Sequence, residues 1–380
     1  MAPHLIFGTA SFGMPMTEFQ DADAVKNVLR TLKELGITRL DSGARYPPTN
    51  PGRSEELIGE AGESGFRVDT KVFTDTATDG CGDLAAEAMG RSVEGSLGRL
   101  RVEGVNVLHI HRADPKTPLE EQVKGFNDQI AKGHCKKASL PMWGVSNVPL
   151  PMLEKMIQIC EEKGWQKPSC YQGIYNLVSR GMESKLLPVL RAHGIAFNGY
   201  QPLAAGFLTG ALVNNEPAGG RFADDNPLGP TMRRMFGGED LLAAMKKFGA
   251  EVKAQGLTPV EVAIRWVVHH SALGDDDGVV VGASRSAQVV DTVELVRKGP
   301  LPREVLGLVE ELWEGVPLFS TPTTTRALNT LSLVRYTIPE MLLRRAIAFV
   351  NLEDFPPTVL IIIVIFEADT SRLEVNTLAD

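Results

Sequence analysis

The stretch DADAVKNVLRTLKELGITRLD, residues 21–41, contains the two kinds of element that decide the fold of this chain. Its first part predicts a helix that ends at Gly36, because the apolar side chains recur every three or four positions. Those side chains are Val25, Val28, Leu29, Leu32 and Leu35. Ile37–Leu40 then form a short predicted strand that finishes on the carboxylate of Asp41. A helix followed at once by a strand is the repeating unit of an α/β fold.

The same unit recurs along the chain, where short β-branched runs alternate with amphipathic runs such as PLPMLEKMIQICEEKG. Eight segments are predicted as strands: LIFGT (Leu5–Thr9), ITRLD (Ile37–Asp41), RVDTKV (Arg67–Val72), VNVLHIH (Val105–His111), WGVS (Trp143–Ser146), SCYQ (Ser169–Gln172), IAFNGY (Ile195–Tyr200) and GVVVG (Gly278–Gly282). Eight strands in this alternation favour a parallel sheet closed into a (β/α)8, or TIM, barrel. An open doubly wound sheet is the competing architecture. The lack of GxGxxG after the first strand counts against its dinucleotide-binding form.

Composition narrows the class of protein. The 380 residues are 43% hydrophobic and 23% charged, as in a globular protein, and the net charge is -8. That charge argues against general affinity for nucleic acid or an anionic membrane. Four scattered cysteines without a CxxC pair suit a reducing compartment and argue against a thiolate metal site. The longest apolar run, TVLIIIVIF at 358–366, is shorter than the roughly 20 residues that span a bilayer. We therefore predict a cytoplasmic protein without a metal.

The β–α alternation also sets the predicted domain organisation. It continues to about residue 316 and predicts one barrel domain over residues 1–316, followed by an atypical C-terminal extension of unassigned role over 317–380. One long connection, about Gly206–Gly238, interrupts the alternation and is rich in Gly, Asn, Pro and Asp. Connections of this length in a compact domain are usually binding loops or lids. Because the connection contains Arg221, we predict a lid.

Chemically active side chains stand at the predicted strand ends. Asp41, Lys71 and His111 end or follow three strands, and Tyr46 lies on the loop after the second strand. In a (β/α)8 barrel such residues converge on one face, where active sites lie. A lysine ammonium beside a tyrosine lowers the phenol pKa and makes it a better acid, while the aspartate keeps the lysine charged. The set suits protonation of an oxygen as it becomes an alkoxide.

Each of these residues also has an ordinary structural interpretation. A strand-end Asp or Lys taken alone is more often a solvated residue or part of an ion pair. His109 and His111 share one strand face, so either can be a buried core histidine. Tyr46 before Pro47 can simply pack in its loop. The functional interpretation depends on all four arriving at or just beyond equivalent strand ends.

The motifs around these residues identify a family. DSGARY resembles the D-x-A-x-x-Y motif of the aldo-keto reductases, with Gly43 where alanine is usual. DTKVF resembles their catalytic-lysine strand, and VNVLHIHRAD resembles the strand that carries their catalytic histidine, here His111. WGVSN, YQGIYN, YQPLAAGFLTG and VGASRSAQVVDT resemble, in order, their cofactor-binding segments. The resemblance covers about residues 5–313. It is nearest to the aflatoxin-aldehyde reductase branch and its fungal relatives, many of which work in detoxification or secondary metabolism.

This resemblance implies an NADPH-dependent reductase of aldehydes or ketones, in which Tyr46 donates the proton, Lys71 and Asp41 tune it, and His111 places the carbonyl oxygen. It implies a binding site for NADPH/NADP+ across the barrel mouth. The implied cofactor-binding residues are Ser146, Asn147, Gln172, Tyr200, Gln201, Pro202, Leu203, Ala205, Gly206, Leu208, Gly210, Arg221, Gly282, Ser284, Arg285 and Gln288. The implied substrate contacts are Tyr46, His111 and Trp143.

Substrate identity lies beyond the sequence, although Phe12, Met14, Met142 and Trp143 on the predicted pocket loops suggest an apolar carbonyl compound and leave open whether it is aromatic. The expected partner is therefore a small carbonyl compound rather than nucleic acid or a membrane, and a homodimer is left open. Two departures from the family stand out: a longer segment at 133–144 before the fifth strand, and the tail beyond Trp313. Two alternatives stay open. One is a cofactor-sensing regulatory subunit resembling potassium-channel beta subunits, and the other is a barrel made inactive by these departures.

Overall fold

The computed structural model describes residues 2–135, 142–214, 222, 226 and 229–316, and they form a closed barrel of eight parallel strands. The strands are β1 (His4–Gly8), β2 (Arg39–Asp41), β3 (Arg67–Lys71), β4 (Val107–Ile110), β5 (Trp143–Ser146), β6 (Cys170–Ile174), β7 (Ala196–Tyr200) and β8 (Gly278–Val281). They pair in chain order around the barrel, and β8 closes it against β1 through the partners His4–Gly278 to Phe7–Val281. The predicted TIM barrel is confirmed, and the open-sheet alternative is wrong because the two terminal strands pair with each other.

Helices surround the barrel. They are α1 (Ala22–Glu34), α2 (Arg53–Ala61), α3 (Ala86–Leu100), α4 (Leu119–Ala131), α5 (Leu150–Lys163), α6 (Leu186–Ala192), α7 (Gly229–Phe236), α8 (Glu239–Ala254), α9 (Pro259–His269), α10 (Ser286–Arg297) and α11 (Arg303–Glu314), with a 3-10 helix at Ala204–Thr209. None of these described helices is long and apolar enough to cross a membrane.

Residues 21–41 fold as their sequence pattern predicts. The side chain of Asp21 accepts a hydrogen bond from the Ala24 amide at 2.9 Å and so caps α1. Val25, Val28, Leu29 and Leu32 are buried. Gly36 follows the helix with a φ of 84°, a left-handed conformation that glycine adopts without the cost of a Cβ. The chain then enters β2, which delivers Asp41 to the C-terminal end of the barrel.

The connection after β7 is partly helical, because it contains the 3-10 helix and α7 within the segment predicted as one long loop. Met232 and Phe236 anchor α7 in the core, where Phe236 stacks on Phe207 at 5.3 Å between ring centroids. Arg221 and most of the insertion before β5 lie outside the described residues, as does the predicted extension 317–380. The lid and the domain boundary near residue 316 therefore stay predictions.

Candidate active site

A buried ion pair lies where β2 and β3 end. The ammonium of Lys71 donates to Asp41 Oδ1 at 2.7 Å and to the Ser42 carbonyl oxygen at 2.7 Å. Lys71 is 1% exposed and Asp41 is 3% exposed, so water screens the pair little. The two strands run parallel in register, and this brings both side chains to the same end of the barrel. The predicted partnership of these two residues is present in the structure.

Tyr46 and His111 lie against this pair. The Lys71 ammonium sits 4.8 Å from the centroid of the Tyr46 ring. The rings of Tyr46 and His111 meet edge to face, with 5.5 Å between centroids and 87° between planes. Both side chains are only partly buried, because they stand at the open mouth above the ion pair. The structure thus brings together the four residues predicted to carry the chemistry.

The pKa of Tyr46 departs from the sequence-based expectation. Burial raises the pKa of the Tyr46 phenol above its usual value, while the neighbouring Lys71 charge acts in the opposite, expected direction and is outweighed. For Lys71, burial disfavours the charge, but Asp41 and Tyr46 more than compensate and raise the pKa of its ammonium. The Tyr46 phenol and the Lys71 amine are therefore both protonated at neutral pH in this structure.

The ends of β5, β6 and β7 contribute a connected group of polar side chains next to the ion pair. Gln172 on β6 donates to Asp41 Oδ1 at 2.7 Å, the same oxygen that binds Lys71. The Tyr200 hydroxyl donates to Asn147 Oδ1 at 2.8 Å. Asn147 Nδ2 in turn donates to Ser146 Oγ at 2.9 Å. These four residues, all among the predicted cofactor-binding residues, lie at the ends of three neighbouring strands.

The segment that follows Tyr200 has unusual backbone conformations. Gln201, Ala204 and Ala205 have φ values of 58°, 49° and 59°, and Gly206 and Gly210 have 105° and 84°. Left-handed conformations are costly for residues with a Cβ, and such strain clusters at functional sites. Gln201 Oε1 is buried and has no hydrogen-bond partner within the described residues. A left-handed segment with an unpaired buried acceptor is compatible with a polar ligand that donates a hydrogen bond.

The other residues of this segment have mixed roles. Pro202 is buried, Leu203 is partly buried against the core, and the Leu208 side chain is fully buried. Only the backbone of Leu208 is therefore compatible with the predicted cofactor contact.

The N-terminus of α10, which follows β8, forms a second polar group. Gln288 Oε1 accepts hydrogen bonds from the Ser284 amide, the Ser284 hydroxyl and the Arg285 amide. Arg285 and Gly282 are exposed. Sequence reasoning missed Glu18, from the loop after β1, whose carboxylate accepts from the Ser286 amide at 2.9 Å. No local pattern reveals this contact, because the two residues lie 268 positions apart.

Trp143 does not join the site, and its predicted substrate contact does not fit the structure. It is fully buried, stacks on Phe126 of α4 at 4.9 Å and donates to the Gln166 carbonyl at 2.8 Å. Side chains alternate along β5, and the next residue, Gly144, faces the barrel interior beside His109 and Cys170. Trp143 therefore faces the helices instead of the mouth.

Phe12, which was expected to line the pocket, is likewise fully buried, with its ring against Phe7 and Phe19.

His109 is the histidine with the structural role. It is completely buried, and burial together with the charges of Lys71 and Arg39 lowers the pKa of His109 well below its usual value. It is therefore a neutral core residue, whereas His111 stands at the mouth beside Tyr46. Among the described residues no group of three or more His, Cys, Asp or Glu side chains is placed to hold a metal ion.

Comparison with known proteins agrees with this geometry. The model of the family described as "Aldo/keto reductase family" matches residues 4–314. The oxidoreductase sirO of Leptosphaeria maculans is 33% identical over 322 residues, which cover 82% of this chain and 94% of that protein. An aldo-keto reductase of Pseudocercospora fijiensis is 30% identical, with 78% of this chain and 99% of that protein covered. Human aflatoxin B1 aldehyde reductase member 2 is 30% identical, with 81% and 86% covered. The family model covers most of the chain and the described barrel carries the matching site, so this protein belongs to the aldo/keto reductase family of oxidoreductases.

Proposed function

We propose that this protein is an NADPH-dependent reductase that converts an aldehyde or ketone to an alcohol, with Tyr46 as the proton donor. The observation that carries the proposal is the buried Lys71–Asp41 pair, at 2.7 Å, beneath the Tyr46 ring and beside His111. A phenol in contact with a fixed ammonium can give up its proton, because the ammonium stabilises the phenolate that remains. This arrangement contains no activated nucleophile, so it favours proton donation over covalent catalysis.

Each residue has a distinct part in the proposed reaction. A reduced nicotinamide, when bound, would supply the hydride. Tyr46 donates its hydroxyl proton to the carbonyl oxygen as that oxygen gains negative charge. His111, whose ring touches the edge of Tyr46, orients the carbonyl oxygen by a hydrogen bond. Asp41 keeps Lys71 charged. The Lys71 ammonium then stabilises the phenolate that remains when Tyr46 gives up its proton.

The chain's polar groups fit the proposed cofactor. Ser146, Asn147 and Gln172 present hydroxyl and amide groups on one side of the mouth, suited to a carboxamide, and Tyr200 offers a partly buried ring beside them. The strained backbone from Gln201 to Gly210, with its orphaned Gln201 Oε1, fits a pyrophosphate-ribose segment. Ser284 and the exposed guanidinium of Arg285 open α10, a suitable place for a 2'-phosphate. This last feature is why we propose NADPH over NADH.

The relatives limit the proposed substrate to a class. One of them is named for reduction of aflatoxin B1 aldehyde, and we extend only the carbonyl chemistry to this chain. We further propose that the enzyme works in the cytoplasm, in carbonyl detoxification or fungal secondary metabolism.

The decisive experiment is the substitution Tyr46→Phe, which removes the phenol oxygen and leaves the ring. We expect NADPH-dependent reduction of an aromatic aldehyde to fall at least about 100-fold, the usual contribution of a general acid. The dissociation constant of NADPH, measured by calorimetry, should change less than about two-fold because Tyr46 binds no cofactor in this scheme. Tyr171→Phe is the matched control, since its hydroxyl donates to the Val148 carbonyl at 2.8 Å and Tyr171 is not one of the predicted site residues.

The possible results separate the hypotheses. If Tyr46→Phe turns over as fast as the wild type, the proton-donor assignment is wrong. If the wild type binds NADPH but reduces none of a broad panel of carbonyl compounds, a cofactor-sensing regulatory role replaces the enzymatic one. If the wild type binds neither NADPH nor NADH, both the enzymatic role and the cofactor-sensing role are excluded.

A further inference from the structure

The N-terminus of α10 is met by a carboxylate from the opposite end of the chain. Glu18 Oε2 accepts a hydrogen bond from the Ser286 amide at 2.9 Å. In the other direction, the Glu18 amide donates to the Ser284 carbonyl oxygen at 2.9 Å. These two bonds hold residue 18 against residues 284–286. A negative charge is therefore fixed at the first turn of the helix, where its dipole is favourable to anions.

This position matters because the same helix start carries the groups proposed to hold the cofactor's 2'-phosphate. The Ser284 amide, the Ser284 hydroxyl and the Arg285 amide already donate to Gln288 Oε1. The Ser286 amide donates to Glu18. Every one of these donors thus has an acceptor within the chain, and one of those acceptors is charged. A 2'-phosphate placed here would meet the attraction of Arg285 and the repulsion of Glu18 together.

We propose that Glu18 is a specificity-determining residue that weakens the binding of dinucleotides with a 2'-phosphate relative to those with a free 2'-hydroxyl. This inference rests on the proposed function, because it concerns the same cofactor site. A phosphate dianion near a carboxylate is repelled, whereas a ribose hydroxyl can donate a hydrogen bond to it. The preference for NADPH that Ser284 and Arg285 create is therefore smaller than it would be without Glu18.

The test is the substitution Glu18→Gln, which removes the charge and keeps an amide oxygen that can accept from the Ser286 amide. We expect the dissociation constant of NADPH to fall about five-fold or more, as expected for loss of one repulsive charge pair near the surface. The dissociation constant of NADH should change less than about two-fold. The difference in NADPH dissociation constant between the wild type and Glu18→Gln should shrink as the salt concentration is raised, because Glu18 is exposed and salt screens its charge. Titration calorimetry with each cofactor measures these values without turnover.

A matched control exists in the same chain. Glu121 Oε1 accepts from the Ala86 amide at the start of α3, so it is also an exposed carboxylate that meets a helix N-terminus from another element. Glu121→Gln makes the same change in net charge outside the proposed cofactor site, and should leave the ratio of the two dissociation constants unchanged.

An unchanged NADPH-to-NADH ratio in Glu18→Gln and in Glu18→Ala would overturn this inference while leaving the proposed function intact. If the wild-type chain binds neither cofactor, the proposed function fails first, and this inference fails with it.

Discussion

A single carboxylate oxygen joins the proposed proton donor to the proposed cofactor site. Asp41 Oδ1 accepts from Lys71 Nζ and from Gln172 Nε2, each at 2.7 Å. Lys71 in turn contacts the Tyr46 ring. A shift of the Gln172 amide on cofactor binding would therefore alter the hydrogen bonding of the ion pair. Gln172, proposed to bind the cofactor, and Lys71, proposed to act on Tyr46, therefore share one hydrogen-bond acceptor.

The Lys71→Met variant tests how much stability this group holds. Removing the ammonium leaves Asp41 buried without its counter-charge, so we expect a loss of about 3 kcal/mol or more in the free energy of unfolding. Chemical denaturation measures this change. The double variant Asp41→Asn, Lys71→Met removes both charges and should recover at least half of the loss.

The double variant also serves as the control for lost packing. If it is no more stable than Lys71→Met alone, the cost comes from the missing methylene packing of the lysine and not from an unpaired charge, and the ion-pair explanation is wrong.

The pKa of Tyr46 shows the limit of reasoning from residue types. A lysine ammonium next to the tyrosine in the predicted site predicts a lowered pKa for Tyr46, and Lys71 does act in that direction. The raised value results from burial, which depends on how many other groups surround the phenol. That environment is a property of the assembled barrel and is absent from the motif.

At the scale of elements, α2 and α3 approach each other closely at one glycine. A Cβ built on Gly59 in α2 would lie 2.2 Å from the Arg99 carbonyl oxygen at the end of α3. Nearby, Arg99 Nε donates to the buried carboxylate of Glu55 on α2 at 2.9 Å. The absence of a side chain at Gly59 therefore sets the distance between the two helices, and the ion pair holds it.

We expect Gly59→Ala to destabilise the protein by about 2 kcal/mol or more, because the methyl group collides with backbone and forces the helices apart. Gly90→Ala is the matched control in the neighbouring helix, since a Cβ there meets nothing within 4 Å. It should stabilise the protein by up to about 1 kcal/mol, because alanine is the better helix former. Thermal or chemical unfolding of the pair measures both effects. Equal effects of the two substitutions would contradict the close-contact explanation.

At the scale of the whole molecule, the barrel interior contains buried charged side chains. Below the Lys71–Asp41 pair, Arg39 Nε donates to Asp69 Oδ2 at 2.8 Å, and Asn106 donates to the other oxygen of Asp69. Asp69 is completely buried. Strand positions that face inward thus carry charges in two successive layers, and the apolar core lies mostly between the strands and the surrounding helices.

Three buried thiols make the stability of the whole molecule sensitive to alkaline pH. Burial raises the pKa of Cys135 and Cys170 to about 12 and that of Cys160 to about 11. In the unfolded chain a thiol loses its proton near pH 8.5, so above that pH the unfolded state binds fewer protons than the folded state. The free energy of unfolding should therefore be retained below about pH 8 and fall as pH rises from 9 towards 11. The slope is about 1.4 kcal/mol per pH unit for each thiol.

Denaturation at several pH values measures that slope. Cys170→Ala should reduce the slope by the contribution of one thiol, about 1.4 kcal/mol per pH unit. Cys81→Ser, at the exposed cysteine, is the control and should leave the pH dependence as it is. A free energy of unfolding that stays constant or rises between pH 9 and 10.5 would contradict the assignment.

The sequence by itself determined the eight strands, the helices between them and the ends where Asp41, Lys71 and His111 stand. These depend on local hydrophobic periods and on the rule that strand ends converge in a barrel, both of which are readable from neighbouring residues. Strand bounds differed by one or two residues, as at β6, which runs from Cys170 to Ile174.

Only the tertiary structure decided which side chains meet across the mouth. Gln172 reaches Asp41 from 131 residues away, and Glu18 reaches Ser286 from 268. It also turned Trp143 towards α4 and raised the pKa of Tyr46. Contacts between distant residues, and the burial that they create, exist only after the chain has closed on itself, and no local pattern encodes them.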